Sequence, residues 1–291
     1  MNTMLVATML VATALSSCAP AEGGSGSSAP SASASPAALP AGVSVELVQY
    51  RFDYGPRRLQ LSVTNGSGHE LRVTSIELRS AVFASPVAYE AGQDVPPGTT
   101  RDLPVLLSDP VCSPDVAPTA EVIVTVVVDG GQQAMGSLVP SDPLGWLARI
   151  HADDCRSAEL ASSASFTVGP FRVDRGGELP VGYLTITGET VPGGPTVLVS
   201  AIDRTILFRP ADATSGWPLG WSFDAAHPVQ STELAVVPSN CNPHILAEDK
   251  RGTFWPLEVT LGDGETGVVY LASDDALRAE LYGYFAEYCG F

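Results

Sequence analysis

The chain has 291 residues, of which 45% are hydrophobic, and a formal net charge of -17. This length and hydrophobic content suffice for two ordinary domains, each with its own core. A strongly acidic surface repels the phosphates of nucleic acids and anionic lipid headgroups, so we expect no nucleic-acid partner. The excess of carboxylates is otherwise explained by solubility.

The N-terminus carries an apolar run, "MLVATMLVATAL" (residues 4–15), which ends in Leu15-Ser16-Ser17-Cys18. A membrane-spanning helix needs about 20 residues, so this run is too short to cross a bilayer and is typical of a signal peptide. Its last four residues resemble a bacterial lipobox. The resemblance implies a signal peptide over residues 1–17, an acyl chain such as palmitate on Cys18, and an extracytoplasmic lipoprotein anchored to the cell membrane.

Two features of this region leave alternatives open. The segment "MNT" that precedes the apolar run has no Lys or Arg, unlike most secretory signals, which would fit a start codon upstream of Met1. A plain secretory signal or an apolar tail would also produce the run. High Ala, Gly, Pro and Arg with a single Lys are typical of a GC-rich source. The chain accordingly resembles actinobacterial envelope lipoproteins more than any family with an established activity.

A segment rich in Ala, Ser, Gly and Pro follows, "CAPAEGGSGSSAPSASASPAALPA" (residues 18–41). Such a composition cannot bury enough apolar surface to fold, which predicts a disordered tether. A lipid-anchored protein needs a spacer of this kind to hold its domains away from the membrane.

The remaining chain contains an internal repeat, which predicts two homologous domains over residues 42–160 and 161–291. Four pairs of segments match in the same order: 45–65 with 165–188, 71–86 with 196–210, 107–118 with 236–247, and 121–155 with 257–289. The segment "SAELASSA" (157–164) is the predicted boundary.

Each copy shows the patterns of an all-β fold. "LQLSVTN" and "GYLTITG" alternate apolar and polar residues, and "VIVTVVV" (122–128) is a β-branched run that stops at a Gly-containing turn. Short strands between Gly- and Pro-bearing turns predict two tandem immunoglobulin-like β-sandwich domains. One short helix ends each copy, the first with Pro143 in its first turn and the second capped by Ser273, and both end at a cysteine.

The chain has five cysteines. With Cys18 assigned to the lipid, four remain in an oxidising compartment, and four cysteines allow three pairings. The repeat selects Cys112–Cys155 and Cys241–Cys289, one bridge within each copy.

Motifs for metal binding or catalysis are scarce. The cysteines and histidines do not occur in the close pairs typical of zinc sites, and no EF-hand loop is present. The nucleophile elbow, the S-x-x-K motif, the P-loop and the dinucleotide fingerprint are also absent from the sequence. We therefore predict no cofactor, no metal and no enzymatic activity.

The second copy differs from the first in two loops rich in aromatic and charged residues. Seven residues from "SGWPLGWSFDAAHP" (215–228) and "NPHILAEDKRGTFWP" (242–256) form the candidate binding surface: Trp217, Trp221, His227, His244, Lys250, Arg251 and Trp255. Aromatic rings beside arginines supply large contact areas at low entropic cost. Alternatively, the rings plug the end of the sandwich or pack between the two domains.

These features predict a non-catalytic binding or interaction module of the cell envelope, with an envelope protein or a cell-wall component as its partner. Two other functions stay open. A structural protein of envelope assembly would present a large apolar contact face. A hydrolase of wall polymers would show a cleft with converging carboxylates or a base–nucleophile pair.

Overall fold

The computed structural model describes residues 36–247, 249 and 251–291. The predicted signal peptide, Cys18, most of the tether and Lys250 lie outside the described residues. Within these ranges the chain contains sixteen strands and three α-helices. No helix among the described residues has the length and apolar character that a membrane span requires.

The first sandwich consists of two antiparallel sheets that enclose one hydrophobic core. Its strands are β1 (Val43–Val48), β2 (Arg58–Asn65), β3 (Leu71–Arg79), β4 (Val87–Tyr89), β5 (Gln93–Val95), β6 (Thr100–Leu106), β7 (Glu121–Val128) and β8 (Gln132–Leu138). One sheet has the order β1-β2-β6, and the other has the order β4-β3-β7-β8, with β5 also paired to β3.

The second sandwich has the same construction. Its strands are β9 (Ala164–Asp174), β10 (Val181–Thr190), β11 (Val197–Asp203), β12 (Phe208–Pro210), β13 (Gly216–Phe223), β14 (Val229–Pro238), β15 (Phe254–Thr260) and β16 (Thr266–Ala272). The sheet orders are β12-β14-β10-β9 and β13-β11-β15-β16. The arrangement β1-β2-β6 thus recurs as β9-β10-β14, and β3-β7-β8 recurs as β11-β15-β16, which confirms the predicted duplication and sandwich fold.

The hairpin between β7 and β8 contains the Gly-containing turn that the sequence predicts after residue 128. Asp129 and Gly130 both have positive φ, 47° and 71°, and the Gly131 N–H donates to the Val128 carbonyl at 3.0 Å, which closes a tight turn in a three-residue loop. The Asp129 carboxylate accepts hydrogen bonds from the His69 ring and from the Glu70 backbone N–H, which lower its pKa. The turn is therefore held to the neighbouring strand as well as by its own backbone.

The helix of the first copy is longer than predicted. Helix α1 (Trp146–Ser163) continues past Cys155 to Ser163, because nothing in "RSAELASS" breaks a helix. Its start also differs, since Pro143 precedes the helix and Asp142 accepts hydrogen bonds from the N–H groups of Trp146 and Leu147 at 2.7 and 3.0 Å. The predicted boundary thus lies within a helix that serves both sandwiches.

Two separate hydrophobic clusters form the cores, one per sandwich, and α1 contributes to both. Leu147 and Ile150 pack into the first cluster, and Leu160 packs into the second. Residues 36–291 accordingly form one compact unit.

The remaining helices belong to the second copy: α2 (Pro243–Ala247) and α3 (Asp275–Cys289). The cap of α3 is Asp274, whose carboxylate accepts the Leu277 N–H at 2.7 Å, so the predicted cap at Ser273 is wrong by one residue. The Ser273 hydroxyl instead accepts a hydrogen bond from the Trp255 indole.

Both predicted disulfides are formed. Cys112 bonds to Cys155 and Cys241 bonds to Cys289, each within its own sandwich. In each copy the bridge joins the loop before the long hairpin to a helix, as the repeat predicts.

The end of the predicted tether is ordered on the first sandwich. The Ala37 N–H donates to Gln133 O at 3.1 Å, and the Ala37 carbonyl accepts the Met135 N–H at 2.8 Å. Leu39 packs over Gly136. The prediction of disorder is therefore wrong for residues 36–41, where the chain covers an otherwise open sheet edge.

Candidate functional site

The structure buries two of the three tryptophans that the sequence placed on a binding surface. Trp255 is fully buried, and its indole N–H donates to Ser273 Oγ at 3.1 Å. Trp221 is 8% exposed and packs edge-on against Phe223. Their assignment to a binding surface is wrong, because both rings belong to the hydrophobic core of the second sandwich.

Trp217 is half-buried beside them. Its indole N–H donates to Ala235 O at 3.2 Å, and its ring packs edge-on against Trp255 at 6.1 Å between centroids. This ring therefore plugs the sandwich, the alternative that the sequence left open.

The two predicted histidines, His227 and His244, are both exposed. The His227 ring bonds to the Asp224 carboxylate at 2.9 Å. Hydrogen bonds from Ser222 and from His227 lower the pKa of Asp224 to about 2. His244 is exposed on the short helix α2. Neither histidine lines the cleft between the two sandwiches.

A cleft of about 450 Å³ lies between the two sandwiches, with walls from both. The first sandwich and α1 contribute Tyr54, Arg57, Trp146, Arg149, Asp153 and Asp154. The second contributes Arg251, Phe254, Val269 and Tyr270. Such a volume is in the range of small-molecule sites, which favour domain interfaces. Of the six predicted binding residues that the structure describes, Arg251 is the one that lines this cleft.

The Arg251 guanidinium lies over two tyrosine rings, one from each sandwich. Its central carbon is 4.6 Å from the ring centroid of Tyr54 and 3.9 Å from that of Tyr270. Both distances are well inside the range of cation–π attraction. One side chain thus joins the two walls of the cleft.

The loop that precedes Arg251 is held by a single carboxylate. Asp249 accepts backbone hydrogen bonds from Arg251 at 3.2 Å and Gly252 at 2.6 Å, and a third from the Tyr282 hydroxyl at 2.9 Å. Burial, reinforced by Asp249, raises the pKa of Tyr282 to about 12. The hydroxyl therefore stays protonated and keeps donating, so it ties the loop that carries Arg251 to helix α3.

Helix α1 supplies a second stacked arginine. Trp146 and Arg149 are three residues apart, so they lie on one helical face, and the Arg149 guanidinium carbon is 5.5 Å from the Trp146 ring. Trp146 also lies 6.4 Å from Tyr54, between ring centroids. The rings and guanidinium groups of the cleft therefore form one continuous series.

Ion pairs join α1 to both sandwiches. Arg57 donates two hydrogen bonds to Asp154, at 3.1 and 2.7 Å, and a third to Ser108 O. Arg156 bridges Asp153, at 2.9 Å, and Glu265 of the β15–β16 loop, at 3.1 Å. The same helix thus ties the first sandwich to the second on either side of the cleft.

A cluster of possible metal ligands in the first sandwich has a different explanation. Cys112, His151 and Cys155 place their ligand atoms within 4.8 Å of one another. The two sulfurs are bonded to each other, so neither is a thiolate that could bind a metal. The His151 ring bonds to the Val111 carbonyl at 3.0 Å.

Sequence reasoning missed most of the cleft. The candidate binding residues that the sequence indicates do not include Tyr54, Trp146, Arg149 or Tyr270. The i, i+3 spacing of Trp146 and Arg149 was a usable signal. The meeting of Tyr54 with Tyr270 had none, because it depends on how the two sandwiches pack.

No protein-family model matches the chain, and no curated protein matches its sequence. Among solved structures, the complex of CsuC with the tip adhesion subunit CsuE from the Csu pili of Acinetobacter baumannii is 11% identical. That match covers 75% of this chain and 93% of the other, with a TM-score of 0.21. The calcium-binding domain CBD12 of CALX1.1 is 13% identical, covering 79% and 87%, with a TM-score of 0.21.

The exo-chitosanase CsxA of Amycolatopsis orientalis is also 13% identical, over 78% of this chain and 26% of the enzyme, with a TM-score of 0.19. The chain therefore spans about a quarter of that enzyme. TM-scores this low support no inference about function.

Proposed function

We propose that this protein is an extracytoplasmic lipoprotein, anchored to the cell membrane through Cys18, that acts as a non-catalytic binding module of the cell envelope. The apolar run, the lipobox resemblance and the Ala/Ser/Gly/Pro segment support the anchor. The two disulfides support an oxidising compartment. The cleft between the sandwiches is the proposed binding site, for an envelope protein or a cell-wall component.

One observation carries the binding role: Arg251 stacks on Tyr54 and on Tyr270 at the same time. Aromatic rings and arginines are the residue types that dominate binding energies at interfaces. Here they are held in place before any ligand arrives, by Asp249 on one side and by the ion pairs of α1 on the other. A ligand would therefore lose little affinity to the ordering of the site.

The carboxylates of the cleft favour binding over hydrolysis. A glycoside hydrolase needs one carboxyl to donate a proton and another to act as base or nucleophile. Asp154 accepts two hydrogen bonds from Arg57, and Asp153 accepts one from Arg156. Both carboxylates thus act as structural partners of arginines.

The anchor is tested by metabolic labelling with palmitate in the native host. We expect the wild-type chain to incorporate label in the membrane fraction, and the Cys18→Ser variant to incorporate none. The other cysteines are disulfide-bonded and serve as the internal control. Labelling of the Cys18→Ser variant would contradict the anchor.

The binding role is tested by hydrogen exchange with mass spectrometry, in the presence of solubilised envelope fragments. We expect slower exchange in the peptides that contain Tyr54, Trp146 and residues 251–254 and 268–272. Peptides of β12 and β14, which do not line the cleft, are the control. Unchanged exchange throughout, or protection confined to the control peptides, would contradict the proposal.

A further inference from the structure

The stacked arrangement of Arg251 leaves its hydrogen-bonding edge available. A guanidinium donates its N–H groups in its own plane, whereas its two faces stack on rings. The guanidinium carbon of Arg251 lies over the rings of Tyr54 and Tyr270, and the guanidinium makes no hydrogen bond or ion pair to the residues that the structure describes. Its N–H groups are therefore available to a ligand beside these two rings.

Arg149 is in a similar situation on the opposite wall. Its guanidinium lies over Trp146 and, within the described ranges, has no carboxylate partner. Arg57 and Arg156 differ, because Arg57 is bonded to Asp154 and Arg156 is bonded to Asp153 and Glu265. Of the three arginines that line the cleft, Arg57 is bonded to a carboxylate, whereas Arg149 and Arg251 remain for a ligand.

The net charge of the residues that line the cleft indicates the charge of the ligand that the cleft would bind. Three arginines and two carboxylates, Asp153 and Asp154, line the cleft, which leaves one net positive charge. This is notable in a chain whose net charge is -17. A monoanion would neutralise the cleft, whereas a dianion would bring excess negative charge beside the carboxylates.

The donors and the charge of the cleft suit a carboxylate. A carboxylate can lie in the plane of a guanidinium and accept two parallel hydrogen bonds. It carries a single negative charge, which matches the one net positive charge of the cleft lining, whereas a phosphate monoester carries close to two. The rest of the cleft is lined largely by apolar side chains, including Leu107, Ile150 and Phe254.

We propose that the cleft binds a small monocarboxylate with an apolar body, whose carboxylate is held by Arg251 with the help of Arg149. This inference rests on the proposed binding function and specifies the chemistry of its ligand. The apolar body of the ligand packs against the α1 wall and Phe254.

The test is a calorimetric titration of the intact extracytoplasmic chain with three probes that share a phenyl ring. These are 4-phenylbutyrate, its uncharged amide 4-phenylbutyramide, and phenyl phosphate. We expect the carboxylate to bind at millimolar concentration or below, and each of the other two to bind at least about tenfold more weakly, because a charge-assisted pair of hydrogen bonds is lost or mismatched. Equal binding of acid and amide, tighter binding of the phosphate, or no binding of the carboxylate would each overturn the proposal.

Variants assign the effect to Arg251. Arg251→Gln is expected to abolish the preference for the acid over the amide. Arg251→Lys keeps the charge but lacks the fork, and is expected to lose most of that preference. The matched control is Arg172→Gln, since Arg172 also stacks on a tyrosine, at 4.0 Å, but outside the cleft. An unchanged preference in a folded Arg251→Gln or Arg251→Lys variant, as judged by thermal melting, would overturn the proposal.

The proposed binding function and the proposed ligand class can be contradicted independently. If hydrogen exchange maps envelope fragments to the cleft while the acid and the amide bind alike, only the ligand class is wrong. If exchange shows no protection in the cleft peptides, the proposed binding function itself is contradicted.

Discussion

Truncation of Trp255 separates a core role from a binding role. The ring is fully buried and donates to Ser273 Oγ. A buried tryptophan removes about 150–250 Å² from water. At about 25 cal/mol per Å² this amounts to about 4–6 kcal/mol, and measured substitutions of this kind cost about 3–5 kcal/mol. We therefore expect Trp255→Ala to lower the free energy of unfolding of the second sandwich by about 4 kcal/mol.

The assay is urea unfolding followed by circular dichroism, with limited proteolysis to assign the transition to the second sandwich. A loss of this size corresponds to about 10–20 °C in melting temperature for a domain of this length. Ile206→Ala is the control, because Ile206 belongs to the same sandwich and is 59% exposed, so its change should stay within about 0.5 kcal/mol. A change below about 1 kcal/mol in Trp255→Ala would refute the placement of this ring in the core.

Three further predictions concern the same sandwich. Replacing Cys241 and Cys289 by Ser should lower its unfolding free energy by about 2–4 kcal/mol, measured by urea unfolding of the variant with the other bridge intact. Asp274→Ala should cost about 1 kcal/mol through loss of the helix cap, whereas Asp275→Ala, one residue on, should cost less; equal effects would contradict the assigned cap. The pKa of Asp224 is lowered to about 2, so its stabilisation is present above about pH 3.8 and is lost as pH falls towards 2. Asp224→Asn should flatten this part of the melting temperature against pH.

The fold could be predicted from the sequence where the signals are local. Alternating strands, turn residues and the repeat give the two sandwiches, and the matched cysteines give the disulfides. The extension of α1 was missed because the repeat suggested that both helices end at a cysteine. The segment after Cys155 nevertheless contains neither Gly nor Pro, and this signal favoured a continued helix.

The candidate site could be predicted only in part. The sequence pointed to the polar loop before β15, and Arg251 in that loop does line the cleft. Aromatic content alone could not distinguish a surface ring from a core ring. The alternation of Trp255 with Leu257 and Val259 on one face of β15 was the missed signal, because all three are buried. The contribution of Tyr54 depends on tertiary packing that no local pattern encodes.

The most direct test of the binding site is photo-crosslinking in living cells, with p-benzoylphenylalanine placed in the lipid-anchored protein. We expect the probe at Tyr270, on the wall of the cleft, to form a discrete crosslinked product with the binding partner. The same probe at Leu179, exposed on the second sandwich and outside the cleft lining, should form none. A product at Leu179 and none at Tyr270 would contradict the claim that the protein binds its partner in the cleft between the two sandwiches.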